Sequence, residues 1–385
     1  IGLLPLYLKL YDDIMPESRA LFEPFLQQVC EGFSSRGIEV VRADVCRLEA
    51  EFEQAVERFE DAAVDLIVTL HLAHSPSLEA IDPLTDTELP ILILDTTMDY
   101  DFGMGVDASR IMTNHGIHGV QDLACMLRRL GKPFQIVAGH ISESLVLERA
   151  ASVARGALAA TLLADSKALR IGQAFAGMGD FSVEEDVLEH ELGITVEQIA
   201  SGDLAADIRA VTDAAVRAEV ALDLTRFNAT IDPGVHARSV RVGLGLRAML
   251  EREGYTAFSA NFLAFDSAEG PANVVPFLEA SKAMARGCGY AGEGDVLTAS
   301  LVGALASAFG RTTFTEVFCP DWKGNALFLS HMGEICPDVV AGKAFLTEKS
   351  YAFSAALNPA IICGAPAPGP AVLVNMAPGP ENRFG

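Results

Sequence analysis

The sequence predicts two doubly wound α/β domains built on parallel sheets, followed by a β-rich C-terminal domain. Three observations carry this reading. Apolar strand-like runs alternate with helical patterns through the first third. The rhythm restarts near 167-KALRIGQAF-175. From about residue 312 it gives way to short β-like pieces broken by Pro and Gly. The expected boundaries are 1–165, 166–310 and 311–385.

Each element follows in order. IGLLPLYL reads as a first strand, then a helix near 17–36, the strand IEVVRA and a helix near 48–60. The strands DLIVTL and ILILD follow, then a helix from about 117 to 130, FQIVAG, and a helix from about 143 to 164. The second domain has a helix around 184–191, amphipathic helices near 203–227 and 237–253, the strand YTAFSANF, and a helix near 273–286. The last domain is expected to use TTFTEVFCP, ALFLSH, AFSAAL and AVLVNM as strands. IGLLPLYL opens directly as a strand and the chain stops at PENRFG just after AVLVNM, so the natural chain is expected to continue past Gly385 and the β-rich domain to be incomplete.

Half of the 385 residues are apolar, enough for a large core. The net charge of −24 repels nucleic acid and anionic membranes, and it leaves small neutral substrates and metal cations open. No apolar run reaches membrane-spanning length. Seven scattered cysteines without a CxxC read as reduced thiols, most of them buried, in a cytosolic protein.

Three polar residues stand in apolar settings late in the chain. Glu293 lies between glycines in 290-YAGEGDVLTASLVGAL-305, Glu316 lies in FTEVF, and His331 closes the run LFLSH. The glycines are read as clearing space around the Glu293 carboxylate. Two carboxylates and an imidazole suit Mn²⁺, Mg²⁺, Co²⁺ or Fe²⁺ with open positions. Taken singly, each has a plainer reading. Glu293 also suits a helix N-terminus, Glu316 an exposed strand face, and His331 a structural role. In the first domain, His71 and His74 follow DLIVTL, His115 and His118 lie in TNHGIHGV, and His140 follows FQIVAG. Ligands gather at such strand ends in parallel sheets. No Walker, GxGxxG or GxSxG motif competes.

The segments 258-FSANF-262, 287-GCGYAGEGDVLTASLVGAL-305, 312-TTFTEVF-318 and 323-KGNALFLSHMGEICP-337 together resemble the L-arabinose isomerase family. TNHGIHG resembles that family's histidine-bearing segment, with His118 on the matching histidine. The resemblance is detailed over about 255–340. It implies an aldose–ketose isomerase of three domains, a homo-oligomeric trimer or hexamer with its site between subunits, and a Mn²⁺ ion. It implies Glu293 and Glu316 as metal ligands and proton-transferring pair, and His331 as a metal ligand. His118 would contact the sugar, with His115 and His74 nearby. The family's second metal histidine has no match here, all eight histidines lying at or before 331, and Ala326 stands where the family has an acid. The alternatives are a metal-dependent sugar epimerase or lyase, and a non-catalytic sugar-binding homologue.

Overall fold

The computed structural model describes residues 1–385, the side chain of Asn382 excepted. The chain divides into two units, Ile1–Leu158 and Ala159–Gly385.

The first unit is a five-stranded parallel sheet. Its strands are β1 (Gly2–Leu6), β2 (Val41–Arg42), β3 (Ile67–His71), β4 (Ile91–Asp95) and β5 (Phe134–Ala138), in the order β2-β1-β3-β4-β5. Its helices are α1 (Lys9–Ile14), α2 (Glu23–Ser34), α3 (Glu49–Asp61), α4 (Ile81–Asp86), α5 (Gly116–Leu130) and α6 (Val146–Ala164). Both faces of a parallel sheet must be covered, so its strands are apolar throughout. Leu92 and Leu94 of β4 turn toward one core, shared with Phe25, Val29 and Phe33 of α2 and Val146 and Ala150 of α6. Ile91 and Ile93 turn toward the other, with Phe52, Val56 and Phe59 of α3 and Leu123 and Leu127 of α5. The period of two in the strand and the i, i+4, i+7 spacing in α3 meet on these faces.

The second unit continues with β6 (Lys167–Ile171), α7 (Glu185–Leu192), β7 (Thr195–Ile199), α8 (Ala205–Ala210), α9 (Asp213–Arg226) and β8 (Asn228–Thr230). Then come α10 (Pro233–Glu253), β9 (Ala257–Ala260), α11 (Phe277–Met284), β10 (Gly289–Gly292) and α12 (Val296–Phe309). The strands β10-β9-β6-β7 form a parallel sheet with a single large core. Four more strands complete the unit: β11 (Glu316–Asp321), β12 (Ala326–Ser330), β13 (Phe345–Glu348) and β14 (Ala360–Cys363). β11 and β12 form an antiparallel hairpin. β13 pairs antiparallel with β14 and parallel with β8, which ties the late strands to the segment between α9 and α10. The α/β class with two parallel sheets and small β-sheets toward the C-terminus is therefore as read from the sequence. Among the described residues, no helix is long and apolar enough to cross a membrane.

Several local expectations are corrected. The helix near 203–227 is two helices, because the Thr212 hydroxyl accepts the Ala215 N–H and starts α9 afresh. AFSAAL is no strand: its Ser354 hydroxyl bonds the Phe265 carbonyl and the Ala356 N–H, which turns the chain. AVLVNM is no strand either. It follows GAPAPGP, whose prolines lack ladder donors, and Val372 and Leu373 are exposed. The late strands fall instead at β13 and β14. The cysteines are all free, but only Cys46 and Cys336 are buried, and Cys125 and Cys319 are exposed.

Phe59 is fully buried between α3 and the sheet. Phe59→Ala is expected to cost about 3–5 kcal/mol by removing its ring from a packed core. Urea unfolding followed by a probe in the first unit measures it, and a midpoint equal to wild type would contradict this packing.

Candidate active site

The carboxyl edge of the second parallel sheet carries Glu293, one residue beyond β10. Its backbone is left-handed at φ 63°, a costly conformation for a residue with a side chain. The surroundings hold it there. The Glu293 N–H donates to the Ala260 carbonyl (3.2 Å), and its own carbonyl accepts from the Phe175 N–H (2.8 Å). The Ser259 hydroxyl lies 2.7 Å from the Ala291 carbonyl oxygen and accepts the Gly294 N–H (2.9 Å). Arg170 Nε donates to the Gly294 carbonyl (3.3 Å). Asp295 then caps α12 by accepting the Thr298 N–H at 2.8 Å.

The glycines on either side have separate structural reasons. A Cβ on Gly292 would stand 2.8 Å from Cε1 of His331. Gly294 has φ +90°, and a Cβ there would stand 2.7 Å from the backbone of Gln173 and Ala174. The glycines therefore admit a histidine ring and a neighbouring chain against the turn, rather than leaving open space.

His331 reaches this turn because the hairpin closes. β11 and β12 pair Glu316 opposite Ser330, so the next residue, His331, lies beside Glu316. Its Nε2 is 3.6 Å from the Glu316 carboxylate. Phe314 stands edge-on to the imidazole at 4.8 Å between ring centres.

Glu334 joins this cluster and does not stand out when the residues are read one by one. Its side chain is fully buried and accepts two bonds, from His331 Nδ1–H (2.9 Å) and from the Tyr290 hydroxyl (3.1 Å). A carboxylate only accepts here, so the proton sits on Nδ1 and Nε2 is turned to Glu316. The signal was present in the sequence as HMGE, an acid three residues after the histidine.

The electrostatics follow from this crowding of acids. Burial opposes charge on His331, but the hydrogen bond to Glu334 and the charges of Glu334, Glu316 and Glu293 outweigh it and raise its pKa. Burial raises the Glu316 carboxyl, His331 opposes that rise, and Glu293, Glu334 and Asp295 add to it. Burial also raises Asp295. Glu293, Glu316 and His331 thus feel one another. Among the described residues, however, no three His, Cys, Asp or Glu side chains stand close enough to hold a metal ion as they are.

The histidines of the first unit form their own group where β3 ends. His74 and His118 lie ring to ring at 4.7 Å. His115 donates from Nδ1 to the Ile111 carbonyl (2.8 Å), which leaves Nε2 to accept from the Tyr11 hydroxyl (3.0 Å). His118 is exposed, and His74 and His115 are half-buried. His71 is buried, with no hydrogen-bond partner on either ring nitrogen among the described residues, and burial pushes its pKa down to about 3.

Two family models match the chain: the L-arabinose isomerase N-terminal domain over residues 27–165 and the L-arabinose isomerase central domain over 183–309. The chain belongs to the L-arabinose isomerase family. His74, His115 and His118 fall in the first matched region and Glu293 in the second, while Glu316 and His331 lie beyond both. The L-arabinose isomerase of Nocardioides sp. is 29% identical over 331 residues, 82% of this chain and 65% of that protein. That of Clostridium beijerinckii is 28% identical over 333 residues, 83% of this chain and 65% of that protein. That of Escherichia coli K12 is 26% identical over 333 residues, 83% and 66% of the two chains. The chain thus spans just under two thirds of the length of these relatives. A solute-binding protein of an ABC transporter from Agrobacterium vitis, 12% identical over 81% of this chain and 89% of its own, superposes with a TM-score of only 0.20, too low to bear on the fold.

Two predictions follow from the geometry. In the metal-free chain, Glu334→Gln removes the charge that holds the His331 proton. The His331 titration should move down toward the ordinary imidazole value of about 6.5. NMR of the imidazole reads this, and an unmoved titration would contradict the assigned bond. For His71 the sign is opposite. Its folded pKa is depressed, so its pH-dependent stability is present above about 6.5 and is lost as pH falls toward 3, where the unfolded chain binds the proton first. Wild type should lose stability across that window more steeply than His71→Gln, and equal slopes in urea titrations would refute the role of His71.

Proposed function

We propose that the chain carries the proton-transfer site of an aldose–ketose isomerase acting on L-arabinose or a related sugar. The reading rests on one observation: buried Glu334 holds His331 so that Nε2 faces Glu316, next to the fixed Glu293 turn. The names of the relatives support the reaction class.

Glu293, Glu316 and His331 would hold a divalent cation, Mn²⁺ or another hard to borderline ion such as Mg²⁺ or Co²⁺. The donor chemistry fits: two carboxylates and one imidazole whose far nitrogen is tied to an acid, as metal-binding histidines commonly are. Glu316 is raised chiefly by burial, and Glu293, Glu334 and Asp295 add to that rise; this added repulsion fits too, since a cation would relieve it. When bound, the ion supplies a Lewis acid for the sugar oxygens at C1 and C2.

The chain's own residues do the rest. Isomerisation moves a proton between C2 and C1 through an enediol. One carboxylate of the Glu293–Glu316 pair takes the carbon proton, and the other carries the hydroxyl proton. The pinned backbone around Glu293 keeps its carboxylate from drifting as charge develops. Phe314 and the buried Tyr290 limit water on the inner side. His118, exposed beside His74, is the sugar-contacting candidate of the first unit.

A non-catalytic sugar-binding role is the second reading, favoured by the absence of three gathered metal donors among the described residues. The test is metal content and product formation after chelation and Mn²⁺ refilling, with wild type and Glu316→Gln. About one Mn²⁺ per chain is expected for wild type. Glu316→Gln should weaken its retention and lower ketose formation by about 10²–10⁴-fold. Epimers or dehydrated products instead of ketose would assign a different metal-dependent reaction. Sugar binding with neither metal nor product would establish the non-catalytic reading.

A further inference from the structure

Strand β9 lies inside the second parallel sheet with every residue buried. A strand so placed is expected to be apolar throughout, and Ser259 departs from this with a hydroxyl on a residue of 0% exposure. A buried hydroxyl is costly unless its hydrogen bonds are made. Those of Ser259 go to the neighbouring strand and the turn beyond it. Its proton is shared between the Ala291 carbonyl (2.7 Å) and the Gly292 carbonyl (3.0 Å), and its oxygen accepts the Gly294 N–H (2.9 Å). The register explains the reach, since Ser259 stands opposite Ala291 in the β9–β10 ladder, just inside the turn.

These contacts bracket Glu293. Two peptide units meet at its Cα, and their orientations set its φ and ψ. The unit before it presents the Gly292 carbonyl to Ser259 (3.0 Å) and the Glu293 N–H to the Ala260 carbonyl (3.2 Å). The unit after it presents the Glu293 carbonyl to the Phe175 N–H (2.8 Å) and the Gly294 N–H to Ser259 (2.9 Å). Each unit is tied at both ends, and Ser259 ties both units. Arg170 reaches only the following unit, at the Gly294 carbonyl. A hydroxyl can serve both units from one atom because it donates and accepts together.

We propose that Ser259 is a positioning residue for proton transfer. It holds the left-handed backbone of Glu293, and through that backbone the direction of the Glu293 carboxylate. The proposal rests on the isomerase reading and adds to it a residue that touches neither sugar nor cation. A residue with a side chain stays at φ 63° only where its surroundings enforce it. Without the hydroxyl, the buried Gly294 N–H is left unpaired, and the units on either side of Glu293 are free to turn. The carboxylate then moves relative to Glu316. Proton transfer tolerates such a displacement poorly, whereas sugar binding is spread over other contacts.

The experiment uses the full chain and has two readouts. The first is ketose formation by the Mn²⁺-refilled protein with a panel of aldopentoses and aldohexoses that includes L-arabinose. The second is amide hydrogen exchange at Gly294 in the metal-free protein. Ser259→Ala should lower kcat by about 10–100-fold and leave KM within about threefold, the pattern of a misplaced group. Its Gly294 amide should exchange about tenfold faster or more, because the bond that protects it is gone. Ser259→Thr keeps the hydroxyl and suits a strand, so it should restore both readouts. Ser281→Ala is the control. Ser281 is equally buried, but its hydroxyl has no hydrogen-bond partner among the described residues, and its loss should change neither readout. Circular dichroism melts check the fold of each variant. Ser259→Cys, a poorer donor and acceptor of similar size, replaces Ser259→Ala should that variant not fold, and should lose kcat in the same direction. Unchanged kcat, unchanged Gly294 exchange, or a raised KM at constant kcat would overturn the positioning role while leaving the isomerase reading intact. A wild type that forms no ketose overturns the isomerase reading, and the Gly294 exchange then decides the backbone role of Ser259 alone.

Discussion

The candidate site depends on the buried carboxylate of Glu334. A fully buried charge left without partners costs about 3–5 kcal/mol, so something must satisfy it. Here Tyr290 and His331 do, one from β10 and one from the end of β12. The same two bonds fasten the β11–β12 hairpin against the parallel sheet. They also choose the proton position on His331, and through it the direction of Nε2. Gly292 follows from that choice, since the ring could not lie where it does beside a residue with a Cβ. The left-handed backbone of Glu293 is then flanked on both sides by contacts that hold it.

Much of this was legible in the sequence, for identifiable reasons. The first sheet was readable because strands buried on both faces are apolar throughout, as in ILILD, and because α3 repeats its apolar residues at helical spacing. Glu293, Glu316 and His331 were readable because charged and polar residues stand out against apolar runs. Glu334 was not singled out, because its two partners come from segments distant in sequence, and nothing local tells a buried acid from an exposed one. AVLVNM misleads for a related reason. Its letters have strand propensity, but a strand needs a partner, and a proline-rich approach removes the donors that would make one. The glycines around Glu293 suggest space for a ligand when only the sequence is considered, and in the fold they admit His331 and the Gln173–Ala174 backbone.

The second unit carries another buried polar assembly that sequence reading passed over. Lys282 of α11 pairs with Glu219 (2.6 Å) and Asp223 (2.6 Å) of α9, and His236 of α10 closes on Asp223 at 3.0 Å. Arg247 of α10 joins Glu219 and Glu279 at 2.9 and 2.8 Å. Every one of these acids meets a base. Compensation this complete is what a buried ion network requires, because any unpaired member would carry a desolvation cost with no return.

The acids around Glu293 are arranged in the opposite way. Glu293, Glu316, Glu334 and Asp295 share one neighbourhood with His331 as its imidazole, and burial together with their mutual repulsion raises the Glu316 carboxyl. No arginine or lysine salt bridge to Glu316 or Glu334 relieves them among the described residues. Within one unit, then, the same residue types are neutralised completely in the helical network and incompletely at the sheet edge. A protein able to place Lys282 and Arg247 so effectively has not placed such a base beside Glu316. The incompletely balanced acids at the sheet edge are what the proposal of a cation there rests on.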